Sequence, residues 1–128
     1  MATSAQLTIY NKNDEPICRL YFHYDGYIDG VGKEIVDFLE EREYVTSLAA
    51  QSKPSSNFCN ETEDMEDLAA QIVCHFKNLH PVGNVYLYPV NQDIYTDYAY
   101  FLKAQKGLEL IAIHQNTMTK LFPVKKEQ

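Results

Sequence analysis

His23-Tyr24-Asp25-Gly26-Tyr27-Ile28-Asp29-Gly30-Val31-Gly32-Lys33 is the stretch in which a strand-like sequence becomes a helix-like one, and its reading decides the fold. Residues 17–23 before it are rich in aromatic and branched side chains, which fit a pleated, half-buried surface. After it the period changes. Val31, Ile35, Phe38 and Leu39 fall on one side of a 3.6-residue repeat, with Lys33, Glu34, Asp37, Glu40 and Glu41 on the other, which predicts an amphipathic helix. Asp29 or Gly30 is placed to cap it. Three glycines, two aspartates and two tyrosines within these eleven residues are more than a plain connection needs.

Upstream, residues 7–10 read as a short strand, and Asn11-Lys12-Asn13-Asp14-Glu15-Pro16 is dense in turn formers, so a β-hairpin is expected with residues 17–23. Downstream, the helix is expected to continue, with a break, through Leu48-Ala49-Ala50, and residues 51–63 read as a polar loop. Asp64 or Thr62 is suited to cap a second helix whose stripe is Met65, Leu68, Ala69, Ile72 and Phe76, and His80-Pro81-Val82-Gly83 stops it. Residues 84–89, 95–103 and 108–114 then read as strands, the last two joined by a turn at Gln105-Lys106-Gly107, and 120–128 as a flexible tail. The expectation is a single α+β domain, 1–128. It has an antiparallel sheet of about five strands in the order β-β-α-α-β-β-β, with both helices on one face. A half-open barrel plugged by the helices is the competing architecture.

Alternation is imperfect in Tyr98-Ala99-Tyr100-Phe101-Leu102 and in residues 108–113, where both faces carry apolar groups. Helices cover one face of such a sheet. The other calls either for a second copy of the chain or for curling of the sheet on itself.

Composition narrows the function. A chain of 128 residues with 45% apolar and 23% charged residues is an ordinary globular protein with a sizeable core. No run of apolar residues is long enough to span a bilayer, and the first residues lack the basic start and apolar run of a secretion signal. Cys18, Cys59 and Cys74, odd in number and irregular in spacing, read as reduced thiols. A cytoplasmic protein without membrane partner is therefore expected. The net charge is −7, and ten of the eighteen acids fall between Glu34 and Asp67. Such a field opposes nonspecific nucleic-acid binding, and the acidic run reads as a solvated helical face before it reads as an imitation of DNA.

Each chemical motif competes with a structural role. Gly26, Gly30, Gly32 and Lys33 resemble a phosphate loop at a helix start, but a Walker A sequence has four residues between its first Gly and the Gly-Lys pair and then Ser or Thr. Here five residues separate Gly26 from Gly32, and Glu34 follows the lysine. A looser nucleotide or phosphate site, with Tyr24 or Tyr27 stacking on a base, competes with a structural reading. In the latter Gly26 and Gly30 supply positive φ, and Asp25 and Asp29 cap turns. His23 and Asp25 share one face of an extended strand, the spacing of a general-base pair, yet no nucleophile accompanies them. Cys59, Cys74, His75 and His80 lack the paired spacing of a zinc site, with Cys74 expected near the core and His75 in solvent. No catalytic residue, metal ligand or cofactor is assigned. Tyr86/Tyr88 and Tyr98/Tyr100 alternate at strand period, and a core face or subunit interface fits them better than a platform for bases.

The segment from Tyr21 to Gly32 resembles a motif in small uncharacterised proteins of phages, other viruses and bacteria. In these a strand ends in His, Trp or Tyr, followed by Asp-Gly-Tyr, two variable residues and Gly-x-Gly entering a helix. Ile28 stands where those proteins often have Pro, and Val85-Tyr86-Leu87-Tyr88 and Asp97-Tyr98-Ala99-Tyr100 are similar to their C-terminal strands. The resemblance implies a viral or mobile-element product acting in a host cell and transfers no functional residue. The leading expectation is a non-enzymatic binding protein, a virus-encoded modulator of host processes that forms a dimer. It would engage a host protein or small-molecule ligand, with Tyr86, Tyr88, Tyr98 and Tyr100 as interface residues. The alternative is a small nucleotide- or phosphate-binding protein or hydrolase using His23, Tyr24, Asp25, Gly26, Tyr27, Gly30, Gly32 and Lys33.

Overall fold

The computed structural model describes residues 2–52 and 64–123, with backbone alone for 43–52. Along the chain lie β1 (Ala5–Tyr10), β2 (Pro16–Phe22), a π-helical turn (Ile28–Gly32) running into α1 (Lys33–Ser52), α2 (Met65–Leu79), β3 (Val85–Tyr88), β4 (Tyr98–Lys103), β5 (Glu109–His114) and β6 (Thr117–Phe122). The strands form one six-stranded sheet in the order β3-β2-β1-β4-β5-β6. Every adjacent pair is antiparallel except β1 and β4, which are parallel.

Two points differ from the sequence expectation of about five antiparallel strands. The first is the parallel pair. β3 returns antiparallel to β2, so it runs the same way as β1; residues 89–97 then carry the chain back across β2 and β1 without a helix, and β4 is laid beside β1 in that same direction. The second is β6, whose sequence Thr-Met-Thr-Lys-Leu-Phe has its first four residues exposed and so no hydrophobic period to announce it. It is made by a two-residue turn, Gln115 (φ 50°) and Asn116 (φ 65°), both left-handed as a hairpin of matching twist demands. Residues 120–122, expected in the tail, belong to β6, and 124–128 lie outside the described residues. Of the expected loop 51–63, Gln51 and Ser52 are helical and 53–63 lie outside the described residues. With β3 and β6 as its two ends the sheet is open, not a half-barrel.

The remaining elements form where local chemistry places them. Asn11 Oδ1 accepts from the amides of Asn13 and Glu15, each at 2.9 Å, and so fixes the β1–β2 turn. Asp64 caps α2 by accepting from the Glu66 amide at 3.2 Å. One sheet face packs under the helices: Leu7, Ile9, Leu20, Phe22, Tyr100, Leu102 and Leu110 share a core with Ile35 and Leu39 of α1 and Leu68, Ile72 and Phe76 of α2. Phe22 and Phe76 meet edge-to-face at 4.8 Å. Among the described residues no helix is long and apolar enough to cross a membrane.

Candidate functional site

The glycine-rich stretch lies between the end of β2 and the start of α1, and its conformation departs from the expected one. Asp25, not a glycine, takes the left-handed backbone (φ 58°), which aspartate tolerates because its short side chain bonds locally. The glycines are required by close approach instead. A Cβ on Gly26 would lie 2.6 Å from the Ser4 carbonyl carbon, and one on Gly30 would lie 2.2 Å from the Asp25 carbonyl oxygen. On Gly32 it would touch the Tyr100 ring at 3.2 Å. The segment is thereby clamped to β1 and β4: the Gly26 amide donates to Thr3 O at 2.8 Å, and the buried Tyr100 hydroxyl donates to Gly26 O at 2.7 Å. Burial pushes the Tyr100 phenol well above its ordinary value.

No side chain caps the helix start, contrary to the expectation for Asp29 or Gly30; the chain winds in through a π turn whose preceding residue is Tyr27. This settles what the loop offers an anion. The amides of Gly30 and Gly32 bond to Tyr27 O, that of Val31 to Asp25 O at 2.9 Å, and that of Lys33 to Ile28 O and Gly30 O. The donors that a phosphate would seek from Gly30 to Lys33 are already engaged. Lys33 itself pairs with Asp37 at 2.7 Å, which holds its ammonium above the ordinary lysine value.

A cleft of about 240 Å³ opens beside this segment, floored by Phe22, Val31 and Phe76 and rimmed by Asp25, Asp29, Lys33, Glu34, Asp37 and His80. Tyr24, Asp25, Gly30 and Lys33 line it; His23 does not. His23 instead takes Tyr21 as its partner, Nδ1 to hydroxyl at 3.0 Å, rather than Asp25. Asp25 accepts from the Tyr27 hydroxyl at 3.3 Å, and the Asp25 charge raises the pKa of that phenol. Gly26 and Gly32 are buried beneath the segment, and Tyr27 is exposed. The expected places of Cys74 and His75 are reversed: Cys74 is exposed, and His75 is partly buried with Nε2 2.8 Å from Glu34. Among the described residues no three His, Cys, Asp or Glu side chains converge as metal ligands, and Cys59 lies outside them.

The four interface tyrosines separate. The register puts Tyr98 and Tyr100 on the helix side and Tyr86 and Tyr88 on the opposite side. Tyr100 is completely buried, so it is a core residue with no surface to give a partner. Tyr98 stacks on the His114 ring, 4.0 Å between centroids and 6° from parallel. Tyr86 and Tyr88 gather around Tyr21 at 6.1 and 5.6 Å, a cluster whose partial burial and neighbouring hydroxyls raise the Tyr21 pKa.

Compared with protein-family models, curated proteins and solved structures, the chain matches none. The site must therefore be judged on its own chemistry. The helix-free sheet face is its least expected part. Besides Tyr21, Tyr86 and Tyr88 it carries Tyr10, Phe101, Ile111 and Ile113, all half-buried, and Met118, which is 67% exposed. Residues 89–97 cover part of it, held by Gln6 Nε2 donating to Ile94 O and Thr96 Oγ1, both at 3.1 Å. Among the described residues three cations also lie on this face, and each has an internal partner. Arg19 donates to Gln92 O at 2.5 Å and Thr8 Oγ1 at 3.1 Å. Lys103 pairs with Asp14 at 3.2 Å over the Tyr10 ring, and Lys120 with Glu109 at 3.3 Å. In the sequence this surface is signalled by the uneven alternation of residues 98–102 and 108–113 and by the strand-period pair Tyr86 and Tyr88.

Proposed function

We propose that this chain is a non-enzymatic binding protein that presents the helix-free face of its sheet to a protein partner. One observation carries the reading: a face of aromatic and aliphatic side chains, without a covering helix, whose cations are internally paired. Nucleic acid is a poorer fit, because Arg19, Lys103 and Lys120 would have to leave Gln92, Asp14 and Glu109 to meet phosphates. A protein surface asks for no such exchange, and aromatic residues with few free charges are what protein interfaces favour at their centre. Asp14 and Glu109 reach this face paired with Lys103 and Lys120, whereas Asp25, Asp29, Glu34 and Asp37 gather around the cleft.

The test is affinity capture from the native host with the wild-type chain, with Ile111→Lys on the face, and with Val82→Lys at a site that is exposed but off the face. A protein held by wild type and Val82→Lys and lost from Ile111→Lys bears the proposal out. Equal capture by all three, or a capture that nuclease abolishes, refutes it.

A further inference from the structure

The two edges of the sheet are not alike. At β3 the antiparallel register with β2 and the bond from His23 N to Asn84 O turn the backbone of Asn84, Tyr86 and Tyr88 inward, so Val85 and Leu87 face outward. Both outward groups of Val85 are satisfied within the chain: its amide donates to Gly83 O at 2.7 Å, and its carbonyl accepts from Lys77 Nζ at 3.1 Å. A lysine reaching across an edge is a recognised means of closing it.

At β6 nothing equivalent is found among the described residues. The two-residue turn makes His114 and Thr117 a hydrogen-bonded pair, so Ala112 and Thr119 form the next, and the amides and carbonyls of Met118 and Lys120 point away from β5. Thr117, Met118, Thr119 and Lys120 are all exposed.

We infer that β6 pairs with β6 of a second copy, antiparallel, about a two-fold axis through Thr119. The register follows from elementary constraints. An isologous antiparallel edge must join the outward groups reciprocally, and an axis at Thr119 sets Met118 opposite Lys120 of the other copy on both sides. The outward amides and carbonyls of both residues are then all matched. An axis at Lys120 would put two ammonium groups directly opposite each other, which is destabilising. With the axis at Thr119 each lysine faces the Met118 thioether and keeps its Glu109 partner at 3.3 Å. The two six-stranded sheets become continuous, and the helix-free faces join into one surface of twice the width. The pairing stands independently of what binds that surface, because it is made by backbone groups of Met118 and Lys120 that point away from β5 and not by the side chains of the face.

Light scattering over a dilution series tests it, with the wild type expected to approach twice 14.8 kDa at high concentration. Met118→Pro removes an amide that β5 does not use, so the monomer's ladder is kept while the dimer is lost. Thr119→Glu places like charges across the axis and is expected to do the same. A non-hydrogen-bonded antiparallel pair sits about 4.5 Å apart at Cα, within disulfide reach. Oxidised Thr119→Cys, in a background lacking Cys59 and Cys74, is therefore expected to give a crosslinked dimer, and Thr117→Cys in the same background is not. A wild type that stays monomeric throughout overturns the inference. So does a dimer that survives both Met118→Pro and Thr119→Glu, or a Thr119→Cys chain that crosslinks no better than Thr117→Cys.

Discussion

Replacing Gly30 with alanine sets two effects of known sign against each other. In a helical segment the change should help, by about 1 kcal/mol of intrinsic propensity. Here the new Cβ would stand 2.2 Å from the Asp25 carbonyl oxygen, 3.1 Å from its carbon and 3.2 Å from its Cβ. Ordinary contact begins near 3.4 Å, so one strand of backbone must move by more than an ångström. The atom that has to yield is the acceptor for Val31 N at 2.9 Å, and it belongs to a residue already at φ 58°. Overpacking of this kind costs roughly 1–3 kcal/mol, and loss of the Val31 bond adds about 1 kcal/mol. After the propensity gain we expect a net loss of about 1–3 kcal/mol. Urea unfolding followed by far-UV circular dichroism would show it as a lower midpoint at unchanged slope. Gly107→Ala is the control: its Cβ meets nothing within 4 Å, so its cost is that of the left-handed backbone alone (φ 103°). If Gly30→Ala were as stable as wild type, or less damaging than Gly107→Ala, the close-approach account of the motif would be refuted.

Tyr100→Phe deletes the 2.7 Å bond to Gly26 O and leaves a carbonyl without its partner, a loss of about 1–3 kcal/mol in the same unfolding assay. The same hydroxyl gives an alkaline limit. Its pKa is raised by burial above the ordinary 10.0, so the folded state keeps a proton that the unfolded state loses. Its stabilising effect is complete below pH 10.0 and declines as pH climbs towards the folded value, and the decline should be shallower in Tyr100→Phe. Gln6→Ala removes both 3.1 Å bonds holding residues 89–97 to the sheet, and amide exchange should accelerate there while the β1 and β4 ladders keep their protection.

How far the sequence carried the reading depended on how local each cause was. α2, β2, β5, the amphipathic start of α1 and the Asp64 cap were legible because periodicity and capping are written within a few residues, whereas the break expected in α1 is not there: the helix runs uninterrupted to Ser52. β4 begins at Tyr98 instead of residue 95, because Asp97 turns back to Ser4: its carboxylate accepts from the Ser4 amide at 3.0 Å, an attachment made by a residue far away in sequence. β6 was illegible for a different reason. An edge strand exposed along most of its length has no buried face, so it has no period to read. The glycine segment marks the switch from strand to helix in the sequence, but close approach and not positive φ is what requires its glycines. Its glycines answer to Ser4, Asp25 and Tyr100, and two of those three neighbours become neighbours only once the sheet exists. The same holds for the face proposed to bind: Tyr86 and Tyr98 look equivalent by spacing, and only the strand order puts them on opposite sides.

The parallel pairing of β1 with β4 also bears on how the chain is made. Ala5 pairs with Tyr98 and Ile9 with Leu102, so β1 sits at the centre of a sheet whose other half is synthesised last. A nascent chain that has already folded its first hairpin and both helices still shows the ribosome's surroundings an unpaired row of β1 amides and carbonyls. Non-local pairings of this kind are slow to close, and an open strand edge is where chains aggregate. Premature termination before β4 would therefore release an adhesive fragment rather than a smaller working protein, which makes residues 98–103 the point of commitment in its synthesis.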